Sequence, residues 1–477
     1  MALRVYDTLR QKKTDFQPVH PGKVGMYVCG MTVQDKPHMG HMLAFVSGDM
    51  IRRYLEYLGY EVTYIQNFTD IDDKIIDRAN QEGVDYRVVV DRNIEAYHRI
   101  AKAVNIKPAT LYPYATRHMD EIIAMVAKLV EGGHAYEAGG DVYFRVRTKQ
   151  DYGKLSKRDI DDLISGARVE VGENKQDPLD FALWKASKPG EPAWDSPWGK
   201  GRPGWHIECS AMATKYLGAT LDLHGGGEDL IFPHHENELA QSECATGREF
   251  VRHWMHNGLL NLRGQKMSKS TGHFFAMEDV LREFDGQVVR FYLLSTHFRS
   301  QMEYSRERLE ASARTFERLV NACRSLDELR SRLGDAVPLS TSASRELVAA
   351  AEEARENFLA AMDDDFNSAG AIGYLFELIK TYNISMDENG SAVAMSREAL
   401  DAVWYTLDLF DQILGLFREG LPRAVEAVPA EVQAKLDQRN KAKKEKDFQL
   451  ADRLRDEIQA DGWVILDTQS GSTLRRK

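Results

Sequence analysis

The sequence predicts an α/β protein with a doubly wound parallel sheet in its first part and helices in its last part. Three observations support this prediction: a strand, loop, helix and strand follow one another early in the chain, a strand-like stretch returns near residue 219, and helical periodicity dominates after about residue 300. The chain has 477 residues, which is too long for one ordinary core, so we expect several domains.

The opening elements are each indicated by a local pattern. Residues 24–29 read Val-Gly-Met-Tyr-Val-Cys, which is typical of a short buried strand. Apolar residues recur at helical spacing over about 41–58, and Gly59 ends this helix. Residues 61–66 alternate like a second strand. This order is typical of the start of a Rossmann-type domain.

The middle of the chain differs in composition. Residues 141–147 resemble a strand, and a loop rich in Gly, Pro and Trp follows at 187–205, so we expect an insertion into the α/β domain. Residues 219–232 return to a strand and a glycine turn. Helical stretches are predicted at 344–382 and 397–417.

These patterns predict five segments. The expected boundaries are 1–104 and 201–300 for the two halves of the α/β domain, 105–200 for the inserted connective domain, 301–420 for an α-helical bundle and 421–477 for a small C-terminal domain.

Composition excludes several classes of protein. The first residues lack the apolar run of an export signal, and no apolar stretch is long enough to span a membrane, so we expect a cytoplasmic protein. The four cysteines form no CxxC pair, which argues against a disulfide framework. The net charge of −11 argues only weakly against a nucleic-acid partner, because residues 435–446 carry six basic and two acidic side chains.

Two motifs are suited to binding phosphate. Pro37-His-Met-Gly-His41 lies between a strand and a helix N-terminus, where unpaired backbone N–H groups and the helix dipole favour anions. Lys266-Met-Ser-Lys-Ser270 lies between glycines, and its two lysines can neutralise charge during nucleotidyl transfer. Each motif alone is a weak signal, because histidine pairs and basic loops are usually ordinary surface features.

Four separated side chains suit a metal ion. Cys29 ends the first strand, Cys209 follows Gly-Trp-His-Ile-Glu, and His234 and Glu238 are four residues apart after Pro233, which is suited to start a helix. Two thiolates, an imidazole and a carboxylate match the ligands of Zn²⁺. The spacing does not establish that the cysteines meet this helix, and His235 competes with His234 for the same role.

A glycine-rich stretch offers a further nucleotide contact. Gly225-Gly-Gly-Glu-Asp229 follows a strand, where glycines allow close approach to a nucleotide and an acidic side chain can hold ribose hydroxyls. As a single signal it is weak, because most glycine runs are only turns.

Taken together, the motifs resemble those of cysteinyl-tRNA synthetases, a class I aminoacyl-tRNA synthetase family. The two phosphate motifs match the two signatures of class I, and the metal candidates match the zinc ligands of this family. The similarity extends from about residue 3 to about residue 468. Met39 replaces the usual Ile, which is a conservative change, and Gln34 stands where many members have Tyr, which affects local packing but not the reaction. Other matching stretches are residues 69–74, 180–185, 196–205 and 363–367.

The resemblance implies specific roles for these residues. It implies a ligase that uses ATP with Mg²⁺, L-cysteine and tRNA(Cys), holds one Zn²⁺, does not bind a membrane and acts as a monomer. It implies catalytic roles for His38, His41, Lys266 and Lys269. ATP would contact these residues and Gly40, Gly225, Gly227 and Asp229. The cysteine pocket would include Gly30, Thr69 and Trp205, although Trp205 also suits the core. Zinc would bind Cys29, Cys209, His234 and Glu238.

Zinc would explain how cysteine is selected. An apolar pocket separates cysteine from serine or alanine by only about 1–3 kcal/mol, whereas a thiolate binds Zn²⁺ far better than a hydroxyl does. A closed, purely structural zinc site is the alternative. Two other functions compete with tRNA charging: transfer of cysteine to a sugar amine through the same adenylate, and non-catalytic binding by a synthetase-like protein. The long C-terminal region after residue 301 favours tRNA.

Overall fold

The computed structural model describes residues 2–159, 174–262, 265–266, 276–333, 341–388, 395–424, 429–445, 447–468 and 471–476. The chain divides into two compact units. The first comprises Met1–Ala322 and Leu333–Leu421, and the second comprises Cys323–Arg332 and Pro422–Lys477.

The strands of the described residues belong to small sheets. They are β1 Arg4–Asp7, β2 Lys12–Asp15, β3 Lys23–Val28, β4 Glu61–Gln66, β5 Ala135–Ala138, β6 Asp141–Phe144, β7 Phe181–Ala186, β8 Gly201–Pro203, β9 Leu221–Gly227, β10 Val251–Asn257, β11 Leu260–Leu262, β12 Gln265–Lys266, β13 Met302–Tyr304, β14 Trp463–Thr468 and β15 Gly471–Arg476.

The helices follow the same chain order. They are α1 Met39–Tyr57, α2 Asp73–Glu82, α3 Tyr86–Ala103, α4 Met119–Glu131, α5 Trp205–Leu217, α6 Glu236–Thr246, α7 Met277–Glu283, α8 Gly286–Leu294, α9 Arg306–Arg332, α10 Ser342–Asp363, α11 Ser368–Glu388, α12 Arg397–Leu414, α13 Ala430–Lys444 and α14 Phe448–Ala460. Of the described helices, none is both long and apolar enough to cross a membrane.

A four-stranded parallel sheet in the order β10-β9-β3-β4 forms the centre of the first unit. This confirms the predicted α/β class. Helix α1 packs against this sheet through the apolar side of its sequence, which includes the buried Met42, Phe45 and Val46. Since all four strands run the same way, their carboxyl ends meet at one edge, where ligands bind in open α/β sheets.

The glycines after Leu221 differ from the prediction. They continue strand β9 instead of forming a turn, because Gly225 and Gly227 pair with Met255 and Asn257 of β10. A Cβ atom at Gly225 would lie 2.9 Å from the Met255 carbonyl oxygen, so the two strands approach too closely here for a larger residue. The lack of a side chain therefore serves strand packing.

The predicted insertion contains an antiparallel sheet of order β5-β6-β7-β8. Phe144 and Trp184 from this sheet are buried in one core with Ile207 of α5. Strand β6 ends at Phe144, earlier than the predicted Arg147, because a short 3₁₀ turn at Val146–Thr148 follows it.

The predicted helix over 344–382 is two helices. Asp365 and Phe366 have positive φ angles of 67° and 52°, which end α10 before α11 begins at Ser368. The break is held by a tertiary contact, because the Tyr6 backbone N–H donates to Asp365 Oδ1 at 2.8 Å.

The second unit has its own small core. Trp463 packs with Val432, Leu436 and Ile458 and is only 4% exposed, so it belongs to this core. Two basic side chains of residues 435–446 are not fully exposed for contact with a nucleic acid. Lys435 pairs with Asp461 at 2.7 Å, and the Arg439 side chain is buried.

Candidate functional site

A cavity of about 310 Å³ lies at the carboxyl edge of the parallel sheet. The residues that follow β3, β4, β9 and β10 line it together with the first turn of α1. This placement explains how distant sequence motifs meet. Its lining includes Cys29, Gly30, Gln34, His38, Gly40, His41, Asn67, Thr69, Lys74, Trp205, Cys209, Gly227, Asp229 and His234.

The histidine motif forms the N-terminus of α1. His38 is the N-cap residue, and its imidazole ring stacks on that of His41 at a centroid distance of 3.6 Å. Burial lowers the pKa of His38 to about 4, although the Asp229 carboxylate opposes this shift. Burial and the neighbouring His38 hold the pKa of His41 well below its ordinary value. Both side chains are therefore neutral at pH 7.

Glycines occur where the backbone lies close to other groups in the cavity. A Cβ atom at Gly30 would overlap the backbone carbonyl of Asn67, and one at Gly40 would lie 3.1 Å from the His38 ring. A Cβ atom at Gly227 would press on the Asp229 carboxylate. Substitution at these positions would displace groups that line the cavity.

The four predicted metal ligands converge at the wall of this cavity. Donor atoms of Cys29, Cys209, His234 and Glu238 all lie within 4.8 Å of one another, and all four residues are buried. The Cys29 and Cys209 sulfur atoms are 3.8 Å apart, and His234 Nε2 lies 2.9 Å from Glu238 Oε1. Helix α6 begins at Glu236, later than the predicted start at Pro233, and the preceding segment Ile231–His235 is not a regular helix because Phe232 has extended backbone angles (φ −138°, ψ 129°).

The electrostatics of this cluster suit a cation. A hydrogen bond with Cys29 lowers the pKa of Cys209 to about 6 against the effect of burial. Burial opposes ionisation of Glu238, but His224 and His234 hold its pKa well below the ordinary value. Burial lowers the pKa of His234, but Glu238 and Cys209 outweigh this and raise it to about 10. A divalent cation would bind this thiolate, carboxylate and imidazole by displacing the His234 proton.

A second set of donors shares two of these residues. His224 and His235 lie with Cys29 and Glu238 in a group whose donor atoms are also within 4.8 Å of one another. His235 Nε2 is 3.3 Å from the Cys29 sulfur, and its Nδ1 is 2.7 Å from His256 Nε2. Sequence reasoning considered His235 but missed His224 and His256. These are isolated histidines on neighbouring strands, and no local spacing connects them.

The predicted cysteine-pocket residues lie beside the metal candidates. Gly30 and the buried Thr69 line the cavity, and so does the buried Asn67, which was not among the predicted residues. Trp205, the first residue of α5, also lines it, and its ring centroid is 4.4 Å from that of His234. Its position is thus that of a cavity wall rather than of the core.

Three predicted nucleotide-binding residues are not placed at the cavity by the described part of the chain. Gly225 is in the interior of β9 and is not among the residues that line the cavity. Lys266 belongs to the short strand β12. Lys269 lies outside the described residues. Their assigned roles remain predictions.

Comparison with known proteins identifies the family. Residues 15–314 match the family described as tRNA synthetases class I (C) catalytic domain, and residues 357–418 match a DALR domain. The chain is 50% identical to a cysteine–tRNA ligase of Geobacter sulfurreducens and 49% identical to one of Heliobacterium modesticaldum, over the full length of both chains in each pair.

Solved structures share the fold at low sequence identity. A Mycobacterium tuberculosis methionyl-tRNA synthetase in complex with methionyl-adenylate superposes with a TM-score of 0.64 at 16% identity, over 84% of this chain and 92% of that one. This similarity supports the fold only, whereas the full-length relatives and the matched catalytic domain identify the family. The chain belongs to the cysteine–tRNA ligase family of class I tRNA synthetases.

Proposed function

We propose that this protein activates cysteine with ATP and transfers it to the 3′ end of tRNA(Cys). One observation carries the proposal: the donor cluster of Cys29, Cys209, His234 and Glu238 borders the same cavity as the histidine turn at the N-terminus of α1. A donor cluster suited to a sulfur-binding metal and a helix N-terminus suited to phosphate thus border one cavity.

The donor cluster is proposed to hold one Zn²⁺. Its two sulfurs, one imidazole and one carboxylate have the softness and number that Zn²⁺ prefers, and three of the four residues line the cavity. A bound Zn²⁺ would hold the substrate thiolate and thereby distinguish cysteine from serine. Glu238, which does not line the cavity, would hold the metal from behind.

The residues at the other end of the cavity would bind ATP. In the first step a carboxylate oxygen of cysteine attacks the α-phosphorus of ATP, and the bond to the β-phosphate breaks to release pyrophosphate. His38 and His41 would donate hydrogen bonds to phosphate oxygens, and Lys266 and Lys269 would neutralise their growing charge. Mg²⁺ would accompany ATP.

The sugar of the nucleotide needs an acceptor near the sheet edge. Asp229 is proposed to accept hydrogen bonds from the ribose hydroxyls, and Gly40 and Gly227 would allow close approach of the nucleotide. Gly225 would contribute indirectly by closing β9 against β10. Gly30, Thr69 and Trp205 would surround the cysteine itself.

The second step transfers the cysteinyl group to RNA. A hydroxyl of the terminal tRNA ribose attacks the carbonyl carbon of the adenylate, and AMP leaves. We propose that the helices of 301–420 and the domain at 421–477 contact this tRNA. The insertion at 105–200 is proposed to divide the α/β domain. The protein is proposed to act in the cytoplasm as a monomer.

Two assays with purified protein test this function. Cysteine-dependent exchange of pyrophosphate into ATP, with serine inactive, would support activation of cysteine. Charging of tRNA(Cys) would support the second step, whereas exchange with transfer only to a sugar amine would favour that rival function. Absence of cysteine-dependent ATP consumption by zinc-loaded protein would contradict both and favour a binding protein.

The metal role has its own test. X-ray absorption at the zinc edge is expected to show one more sulfur neighbour when cysteine is added. An unchanged sulfur count would contradict recognition of sulfur and leave a structural site.

A Lys269→Ala variant is expected to lose most pyrophosphate exchange, and full exchange would contradict its role.

A further inference from the structure

A buried acidic side chain, Glu208, lies behind the proposed cysteine pocket. Glu208 is only 1% exposed and lies on α5, next to Cys209 and three residues after Trp205. Its Oε2 accepts a hydrogen bond from Thr69 Oγ1 at 2.9 Å, and its Oε1 has no hydrogen-bond partner among the described residues. Thr69, but not Glu208, is among the residues that line the cavity.

A chain of hydrogen bonds leads from the cavity wall to Glu208, and each group in it donates to the next. The backbone N–H of Gly30 donates to Asn67 Oδ1 at 2.9 Å, Asn67 Nδ2 donates to Thr69 Oγ1 at 3.5 Å, and Thr69 donates to Glu208. The backbone N–H of Gly30 can only donate, so the Asn67 amide is oriented with its NH₂ toward Thr69. Glu208 accepts at the end of the chain, which orients the hydroxyl proton of Thr69 away from the cavity.

This chain determines what Thr69 can bind. A hydroxyl has one proton and two lone pairs, and here the proton and one lone pair are already used. The remaining lone pair can only accept a hydrogen bond. Thr69 is therefore arranged to meet a donor in the cavity, and a donor with a positive charge forms the stronger bond.

Free cysteine carries one such group. Under the proposed function its thiolate lies near Cys29 and Cys209 and its carboxylate points toward the nucleotide, so its α-ammonium group lies between these ends. The wall between them includes Gly30, Asn67 and Thr69. We propose that Glu208 is a positioning residue that orients the Thr69 hydroxyl to accept a hydrogen bond from the substrate α-ammonium group. This inference rests on the proposed function.

A comparison of two ligands tests it. Cysteine KM is measured by pyrophosphate exchange, and 3-mercaptopropionate, which has the thiol and carboxylate but no amine, is measured as a competitive inhibitor. In Glu208→Met the hydroxyl proton is free to turn into the cavity, so cysteine KM is expected to rise about tenfold. The inhibition constant of 3-mercaptopropionate and the KM of ATP are expected to change less than about twofold.

Matched variants distinguish a loss of Thr69 orientation from damage to the fold or to the metal site. Glu208→Gln keeps an oxygen acceptor and is expected to restore most of the affinity for cysteine. In a Thr69→Val background, which lacks the hydroxyl, Glu208→Met is expected to add no further loss. Zinc content and the unfolding temperature of each variant identify damage to the adjacent metal ligand. If Glu208→Met does not fold, Glu208→Asp withdraws the acceptor and is expected to show the same ligand selectivity to a smaller degree.

The outcomes that overturn the proposal are distinct from failure of the proposed function. Equal losses for cysteine and 3-mercaptopropionate, an unchanged cysteine KM, or additive effects of Thr69→Val and Glu208→Met would each reject the positioning role. Parent protein without any cysteine-dependent exchange would reject the function itself.

Discussion

His38 and His41 hold each other in place through their backbones, because each Nδ1 accepts the backbone N–H of the other residue at 3.3 Å. Since both rings are neutral at pH 7, each proton must be on Nε2. The pair thus caps α1 with one ring nitrogen and keeps the other as a donor. Under the proposed function, helix capping and phosphate binding would use different atoms of the same side chains.

This division predicts that His38→Asn separates stability from catalysis. Asparagine can accept the same backbone N–H and is a favoured N-cap residue, but it lacks a group at the Nε2 position. We expect unfolding temperatures close to the parent value and pyrophosphate exchange about 10²-fold slower. His38→Ala should be equally slow and also less stable by about 1 kcal/mol. Full exchange by His38→Asn would contradict the assignment of Nε2 as the donor.

Acid sensitivity is predicted from His253, which lies outside the proposed site. Burial lowers its pKa to about 4, and its ring packs 5.3 Å from that of Phe16. The unfolded chain binds this proton near pH 6.5 and the folded chain only near pH 4, so stability is present above pH 6.5 and falls as pH decreases between these values. This group alone should cost about 2 kcal/mol between pH 7 and pH 5.

Urea unfolding at the two pH values checks this prediction. The His253→Asn variant should lose less stability on acidification than the parent, by about 2 kcal/mol. If the variant loses as much unfolding free energy as the parent between pH 7 and pH 5, or more, His253 is not the responsible group.

Two glycine substitutions are predicted to have opposite effects. Gly30→Ala places a methyl group on the Asn67 carbonyl, so we expect a loss of about 3 kcal/mol or more and weaker cysteine binding as Asn67 and Thr69 move. Gly373→Ala is the control, because this exposed position in α11 has no atom within 4 Å of an added Cβ. It should gain up to about 1 kcal/mol from helix propensity. Thermal unfolding measures both, and a stable Gly30→Ala would contradict the close approach.

Sequence patterns predicted the elements whose periodicity is local. Strands β3 and β4 and helix α1 lie within one or two residues of their expected positions, because their apolar spacing reflects one buried side. The glycines of β9 predict a turn because glycine favours turns, yet tertiary pairing with Met255 and Asn257 overrides that preference. The break at Asp365 was missed because its partner, Tyr6, is distant in sequence.

The site shows the same limit. The family motifs pointed to Cys29, Cys209, His234 and Glu238, and the fold brings them together. No sequence pattern indicated that Glu208 contacts Thr69 or that His224 contacts Glu238, because each of these contacts joins separate elements across the sheet edge. Their alignment depends on strand register and helix rotation, which a single sequence does not express.

The two overlapping donor sets predict different results for adjacent histidines. His234 lines the cavity, whereas His235 is turned toward His256, whose own Nδ1 lies 2.8 Å from Thr8 Oγ1. If zinc binds Cys29, Cys209, His234 and Glu238, then His234→Ala removes a ligand and His235→Ala removes only an outer neighbour. We expect zinc to be lost from His234→Ala on gel filtration, while His235→Ala keeps about one zinc per chain with affinity about tenfold weaker.

Elemental analysis and titration with a competing chelator measure these quantities. Cys244→Ser is the matched control, because this half-buried thiol belongs to neither donor set and its loss should leave zinc content unchanged. The reverse result, with zinc retained by His234→Ala and lost from His235→Ala, would assign the metal to His224 and His235. Of that second set only Cys29 lines the cavity, so this result would favour a structural role for the metal.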